Sequence, residues 1–196
     1  MYPFKFSIEY PEKLSRGTLF LRLFFAWAYV LIPHFFALPF LVLAQVYVWF
    51  ASFWIILFTG KIPKSMFDFY IGVNRWYMRL CAYLVYMTDK YPKFTTDTYE
   101  GDPITYELEY PATLSLGKVI LKGLFGWAYV MIPHYVCLIF VGIWASILMF
   151  IAWWVILFTG KYPEKWFHFV EGYYRWLNRV ELYFFYCDVY PPFSGK

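Results

Sequence analysis

The amino-acid sequence predicts an all-α membrane protein with a minor β component, built as two parallel repeats. Each repeat is expected to hold a short strand, a transmembrane helical hairpin and an amphipathic interfacial helix, for about four crossings in total. Three observations predict this. The first is composition: 62% of the 196 residues are hydrophobic, 27% are aromatic and only 15% are charged. Soluble domains are nearer half apolar and a quarter charged. With a mean hydropathy of +0.49, water is not the only solvent this chain meets. The second is distribution: no Asp, Glu, Lys or Arg occurs from Leu23 to Gly60 or from Gly123 to Gly160. Each run is about twice the roughly 20 residues that one membrane helix needs.

The third observation is duplication. A shift of one hundred positions aligns "EYPEKLSRG" with "EYPATLSLG", "FAWAYVLIPH" with "FGWAYVMIPH" and "ILFTGKIPKSMFDF" with "ILFTGKYPEKWFHF". It also aligns "GVNRWYMR" with "GYYRWLNR" and, after one deletion, "DKYPKF" with "DVYPPF". Roughly two in five aligned positions are identical, which defines an internal repeat. The expected division is residues 1–95, a linker at 96–103, and residues 104–196.

Each repeat opens on an alternating segment, "FKFSIEY" or "ITYELEY", the pattern of a half-exposed strand. Tyr-Pro ends it, and Ser15 or Ser115 supplies a cap for the helix that follows. No small-residue cleavage pattern follows the first apolar run, so no removable leader is expected. As one helix, Thr18 to Gly60 is roughly 64 Å long, more than twice the hydrocarbon thickness of about 30 Å. The shared interruption is "IPH", at Ile32-Pro33-His34 and Ile132-Pro133-His134. Proline disfavours helical geometry in the residue before it, so the expected reading is a hairpin: a first helix of roughly 22 Å and a second, from Phe35, of roughly 39 Å. His34 and His134 then lie at the far membrane face, with Trp27, Tyr29, Trp127 and Tyr129 as interfacial anchors. The alternative keeps Pro33 and Pro133 as kinks within one long helix.

A third helical segment is expected over Met66–Thr88 and Trp166–Cys187. Asp68, Gly72, Arg75 and Arg79 fall on one stripe, and His168, Gly172, Arg175 and Arg179 repeat it. An arginine at mid-bilayer costs roughly 2.5 to 3.5 kcal/mol, so these helices are expected to lie in the interface. All formal charges then gather on one face. Because Lys and Arg beside crossings stay in the cytoplasm, the charged cap and both termini are expected on the cytoplasmic side of the inner membrane. An even number of crossings per repeat makes the repeats parallel, about a pseudo-twofold along the membrane normal.

Taken together, "EYPEKLSRG", "IPH", "ILFTGKYP", "RW" and the closing "YPPF" resemble a family of small prokaryotic integral membrane proteins catalogued only as a domain of unknown function. The resemblance covers roughly residues 4–94 and 104–193. It implies membrane residence and supplies no reaction, substrate or ligand.

No Gly-rich phosphate loop, H-E-x-x-H, G-x-S-x-G or C-x-x-C is present, and the apolar runs offer only Ser, Thr, Gln45 and the histidines. No enzyme, catalytic residue, metal site or bound cofactor is therefore expected. Cys81, Cys137 and Cys187 read as apolar filler. Arg75, Arg79, Arg175 and Arg179, with Lys61, Lys64, Lys161 and Lys165, form a basic band suited to anionic lipid headgroups. Asp68 can pair with Arg75 or Arg79, and Glu171 with Arg175. His34 and His134, equivalent by the repeat, could converge on a haem iron or a metal. Basic residues interleaved with membrane-facing aromatics, rather than forming an exposed stripe, do not suggest a nucleic-acid partner. The expected function is a non-catalytic accessory or structural subunit of a larger membrane complex. Lipid binding or small-solute transport is the alternative, and a haem-binding redox subunit the second.

Overall fold

The computed structural model describes residues 2–184 and 186–196. Each half contributes one strand, one very long helix and one shorter helix. The first half holds β1 (Phe4–Ile8), α1 (Arg16–Ala26), a π-helical turn (Trp27–Leu31), α2 (Ile32–Thr59) and α3 (Lys64–Leu84). The second holds β2 (Ile104–Leu108), α4 (Leu116–Gly126), a second π turn (Trp127–Met131), α5 (Ile132–Thr159) and α6 (Glu164–Tyr183).

The strands pair antiparallel, with Phe6 opposite Tyr106, Phe4 opposite Leu108 and Ile8 opposite Ile104. A pseudo-twofold therefore passes through the Phe6–Tyr106 pair. The alternation works as predicted: Phe4, Phe6, Ile104 and Tyr106 are buried, while Lys5, Ser7, Thr105 and Glu107 face outward. Beneath the sheet lie α3, against β2, and α6, against β1. Their opposite sides pack on α2 and α5. The layers thus run from an exposed polar sheet face, through α3 and α6, to the long helices.

The predicted helical hairpin is not formed. Arg16–Thr59 and Leu116–Thr159 are each continuous, 44 residues long, or about 66 Å. Proline fails to break them for a reason visible in the partners. Pro33 has no N–H to donate to the carbonyl four residues back, at Tyr29. The Tyr91 hydroxyl donates to that carbonyl instead, at 2.9 Å, and Tyr190 does the same for Tyr129 at 2.9 Å. His34 bonds the next carbonyl, that of Val30, through Nδ1 at 2.8 Å. The motif "YPxF" then closes over "IPH": Phe94 stacks on His34 with ring centroids 4.3 Å apart, and Phe193 on His134 at 3.9 Å. Substitute donors of this kind are what let Pro persist in a helix.

The π turn has a geometric consequence. At about 100° per residue, Phe36 would point about 160° away from Phe20. The residue added by the π turn takes back about 100°, bringing the exposed stripe of α1 (Phe20, Phe24, Trp27) to within about 60° of that of α2. The α2 stripe runs from Phe36 and Phe40 through Leu43, Phe50 and Trp54 to Phe58, all exposed. One apolar face thereby continues along the rod.

The duplicated "ILFTGK" ends each rod. Gly60 (φ 68°) and Gly160 (φ 73°) take the left-handed conformation that closes a helix. Their carbonyls accept from the other half, Leu114 N–H to Gly60 at 2.9 Å and Leu14 N–H to Gly160 at 2.8 Å. The stop is also the staple between repeats. With Arg16 bonded to the Phe158 carbonyl, the rods run antiparallel, α1 packing on α5 and α2 on α4.

Candidate functional site

The arginines of the stripe turn toward the sheet and the segment after α3. Arg79, 1% exposed, pairs with Asp102 and donates to the carbonyls of Thr95 (2.7 Å) and Asp97 (2.6 Å), with the Tyr99 ring 4.7 Å away. Arg75 donates to the carbonyls of Thr96 and Tyr106. Arg175 reaches those of Phe6 and Gly195 and pairs with Glu171 at 3.3 Å, as expected from their spacing. Arg179 donates to the carbonyl of Ser194 and to a backbone oxygen of Lys196. Burial holds the guanidinium pKa of Arg75, and that of Arg179, below the ordinary value, and in each the neighbouring arginine adds to the effect. Asp68 pairs with Lys64, at 2.7 Å, rather than with Arg75 or Arg79, because its side chain points outward beside Lys64, one turn before. Lys61 and Lys161 stand exposed at the rod ends.

The histidines sit on the buried side of a continuous helix rather than at a turn on the far membrane face. Each is sealed within its own half, His34 by Trp76, Tyr91 and Phe94, and His134 by Trp176, Tyr190 and Phe193. Trp176 donates to His134 Nδ1 at 2.9 Å, so that ring carries its proton on Nε2, whereas His34 donates from Nδ1. Among the described residues, no group of three or more His, Cys, Asp or Glu is placed to hold a metal ion.

A different set converges near the pseudo-twofold. Glu181 Oε1 accepts from Tyr70 (2.7 Å) and Asn74 (3.2 Å), and Asn74 Oδ1 accepts from Gln45 (2.8 Å). Alongside, Tyr106 donates to Asn178 at 3.0 Å. Glu181 is crowded by these hydrogen-bonding groups while the residue itself keeps accessible surface. Burial pushes its carboxyl pKa up, against the two hydrogen bonds that favour the charged form. The Tyr70 hydroxyl is pushed up as well, by burial and by Glu181. The cluster breaks the repeat, since Gln45, Tyr70, Asn74 and Glu181 align with Ala145, Val170, Tyr174 and Cys81. Sequence reasoning singled out Gln45 and missed Glu181. The available signal was a carboxylate in one copy of a helix where the other copy has cysteine. Chemically, the cluster can hold a proton or a cationic group; it contains no activated nucleophile.

Folded halves that interdigitate, polar on one side and apolar on the other, define a duplicated helical protein with a large exposed apolar face. Both halves match the family described as a domain of unknown function (DUF4389), over residues 16–96 and 124–195, and the chain belongs to that family. No curated protein and no solved structure matches the chain.

Proposed function

We propose that this protein is a non-catalytic, membrane-embedded accessory or structural subunit of a larger membrane complex, with its charged cap on the cytoplasmic side of the inner membrane. One observation carries the reading: the outer faces of both rods are aromatic and aliphatic, with Phe36, Phe40, Phe58, Phe140, Phe150 and Phe158 each at least two-thirds exposed. Soluble monomers rarely leave contiguous apolar surface on that scale uncovered. The polar clusters support a non-catalytic role, since their hydrogen bonds join backbone and neighbouring side chains rather than assembling a nucleophile with a base.

The Glu181 cluster favours a second reading, lipid binding or solute passage, because an ionisable group beside an apolar layer is a functional candidate. Purification from native membranes in lipid nanoparticles, followed by mass analysis, separates the two. A stoichiometric protein partner supports the subunit reading. Recovery of the chain alone with one selectively retained lipid, lost in Glu181→Gln, moves the assignment to lipid handling.

A further inference from the structure

We infer that both long helices lie in the plane of the membrane, embedded in the acyl layer of one leaflet, and that neither crosses it. The inference rests on the membrane residence proposed above and replaces crossing with a flat, one-sided insertion.

Length is the first argument. A 44-residue rod is about 66 Å long against about 30 Å of hydrocarbon, and its uncharged part alone exceeds the bilayer.

The cap supplies the decisive one, because it follows the rods along their whole length. On the first rod, Arg16 meets the second rod's end, Arg22 pairs with Asp89, and Tyr91 binds the carbonyl of Tyr29. Next to Tyr91, Lys90 makes an exposed ion pair with Glu9, the two side chains 47% and 63% exposed. On the antiparallel second rod, Lys118 and Lys122 bind Asp188, and Tyr190 binds the carbonyl of Tyr129. The register that sets Arg16 opposite Phe158 and Leu114 opposite Gly60 puts Tyr129 opposite residue 45. The longest stretch without such a cap contact, from residue 29 to residue 45, is about 24 Å. Among the described residues, cap contacts therefore recur along the rods at intervals shorter than the hydrocarbon thickness, and the Lys90–Glu9 pair sets exposed charge beside the middle of the first rod.

The remaining side is dominated by aromatic and aliphatic side chains, brought toward one face by the π turns. It is bordered at the rod ends by exposed Lys61, Lys64, Lys161 and Lys165, and such lysines complement lipid phosphates at about 1 kcal/mol each. The opposite surface carries Lys5 and Glu107 outward. Hydrocarbon on one side and headgroups around the rim fit a single leaflet.

The test uses the full chain in sealed phosphatidylcholine–phosphatidylglycerol vesicles. Single-cysteine variants at Phe24, Phe40, Phe58 and Phe140, in a background with Cys81, Cys137 and Cys187 changed to Ala, carry nitroxides whose depth is read by spin relaxation. The expected result is one common depth, within about one helical turn of 5 Å. An impermeant thiol reagent is expected to reach Lys13→Cys, Lys61→Cys and Lys93→Cys from the same side. Depths that run through both leaflets, or labelling of Lys13→Cys and Lys61→Cys from opposite sides, overturn the inference and leave membrane residence standing. Nitroxides shielded from lipid-dissolved oxygen would show a second copy or partner on the face and also overturn it. Failure of the protein to float with vesicles removes membrane residence itself. If the cysteine-free background does not fold, quenching of the native tryptophans by lipids brominated at different acyl positions gives the same depth profile.

Discussion

Arg79 and Arg179 stand at equivalent places in the two halves and are neutralised differently. Arg79 meets the Asp102 carboxylate, itself only 8% exposed. Arg179, 7% exposed, meets the face of the Tyr2 ring at 5.1 Å and two backbone oxygens. The pseudo-twofold explains this, because the segment leading into β1 stands where the segment leading into β2 stands for the other half, setting Tyr2 in the place of Asp102. Duplication copied the cation, but the segment that answers it lies outside the copied helix and diverged. A buried guanidinium can therefore be held by a carboxylate or by a π face with backbone oxygens, and the two solutions respond differently to mutation.

The largest effect expected is from Asp102→Asn. Leaving Arg79 buried without its counter-charge costs about 3 kcal/mol, read as a lower unfolding midpoint in lipid nanodiscs. Arg179→Met should cost no more than about 1 kcal/mol, since it strands no buried side-chain carboxylate; equal losses from the two would abolish the distinction between halves. Tyr91→Phe and Tyr190→Phe remove the donors that satisfy Tyr29 and Tyr129, and each should cost about 1 kcal/mol. Here the halves should agree, and a loss confined to one would mean that only one proline needs its lock. Tyr2→Asp sharpens the contrast from the other direction, raising the midpoint by up to about 1 kcal/mol if a carboxylate at that place pairs with Arg179. The smallest effect is a pH slope from Glu181, which has Cys81 as its counterpart. Its folded pKa is raised, so the folded chain keeps this proton to higher pH than the unfolded chain does. The contribution of this group is then fully present at and below the ordinary carboxylate range, is lost as pH rises toward the elevated pKa, and levels off above it. Glu181→Gln should flatten that slope in a pH series of unfolding midpoints.

Much of this architecture was legible in the residues. The strands read from alternation, the rod ends from "FTGK", and the repeat from plain identity. The pairing of Glu171 with Arg175 followed from spacing alone. What misled was proline: within the sequence, Pro33 can only subtract a hydrogen bond, and the hydroxyl that restores it comes from Tyr91, far along the chain. The arginine stripe was found, but its destination was not. A basic stripe facing lipid headgroups and one facing backbone carbonyls look identical until the segment after α3 is folded back over it. Glu181 escaped notice because its significance lies in Tyr70, Asn74 and Gln45, which come from the other half.

By itself, then, the sequence determined those properties that depend on neighbours a few residues apart: strand alternation, helix stops, charge-free runs and the copying of one unit. Tertiary structure decided whether the long helices turn, where the arginines point and which polar groups meet near the axis. Each of these depends on a hydrogen-bond partner brought in from distant chain, and a buried donor or acceptor takes the partner that folding supplies.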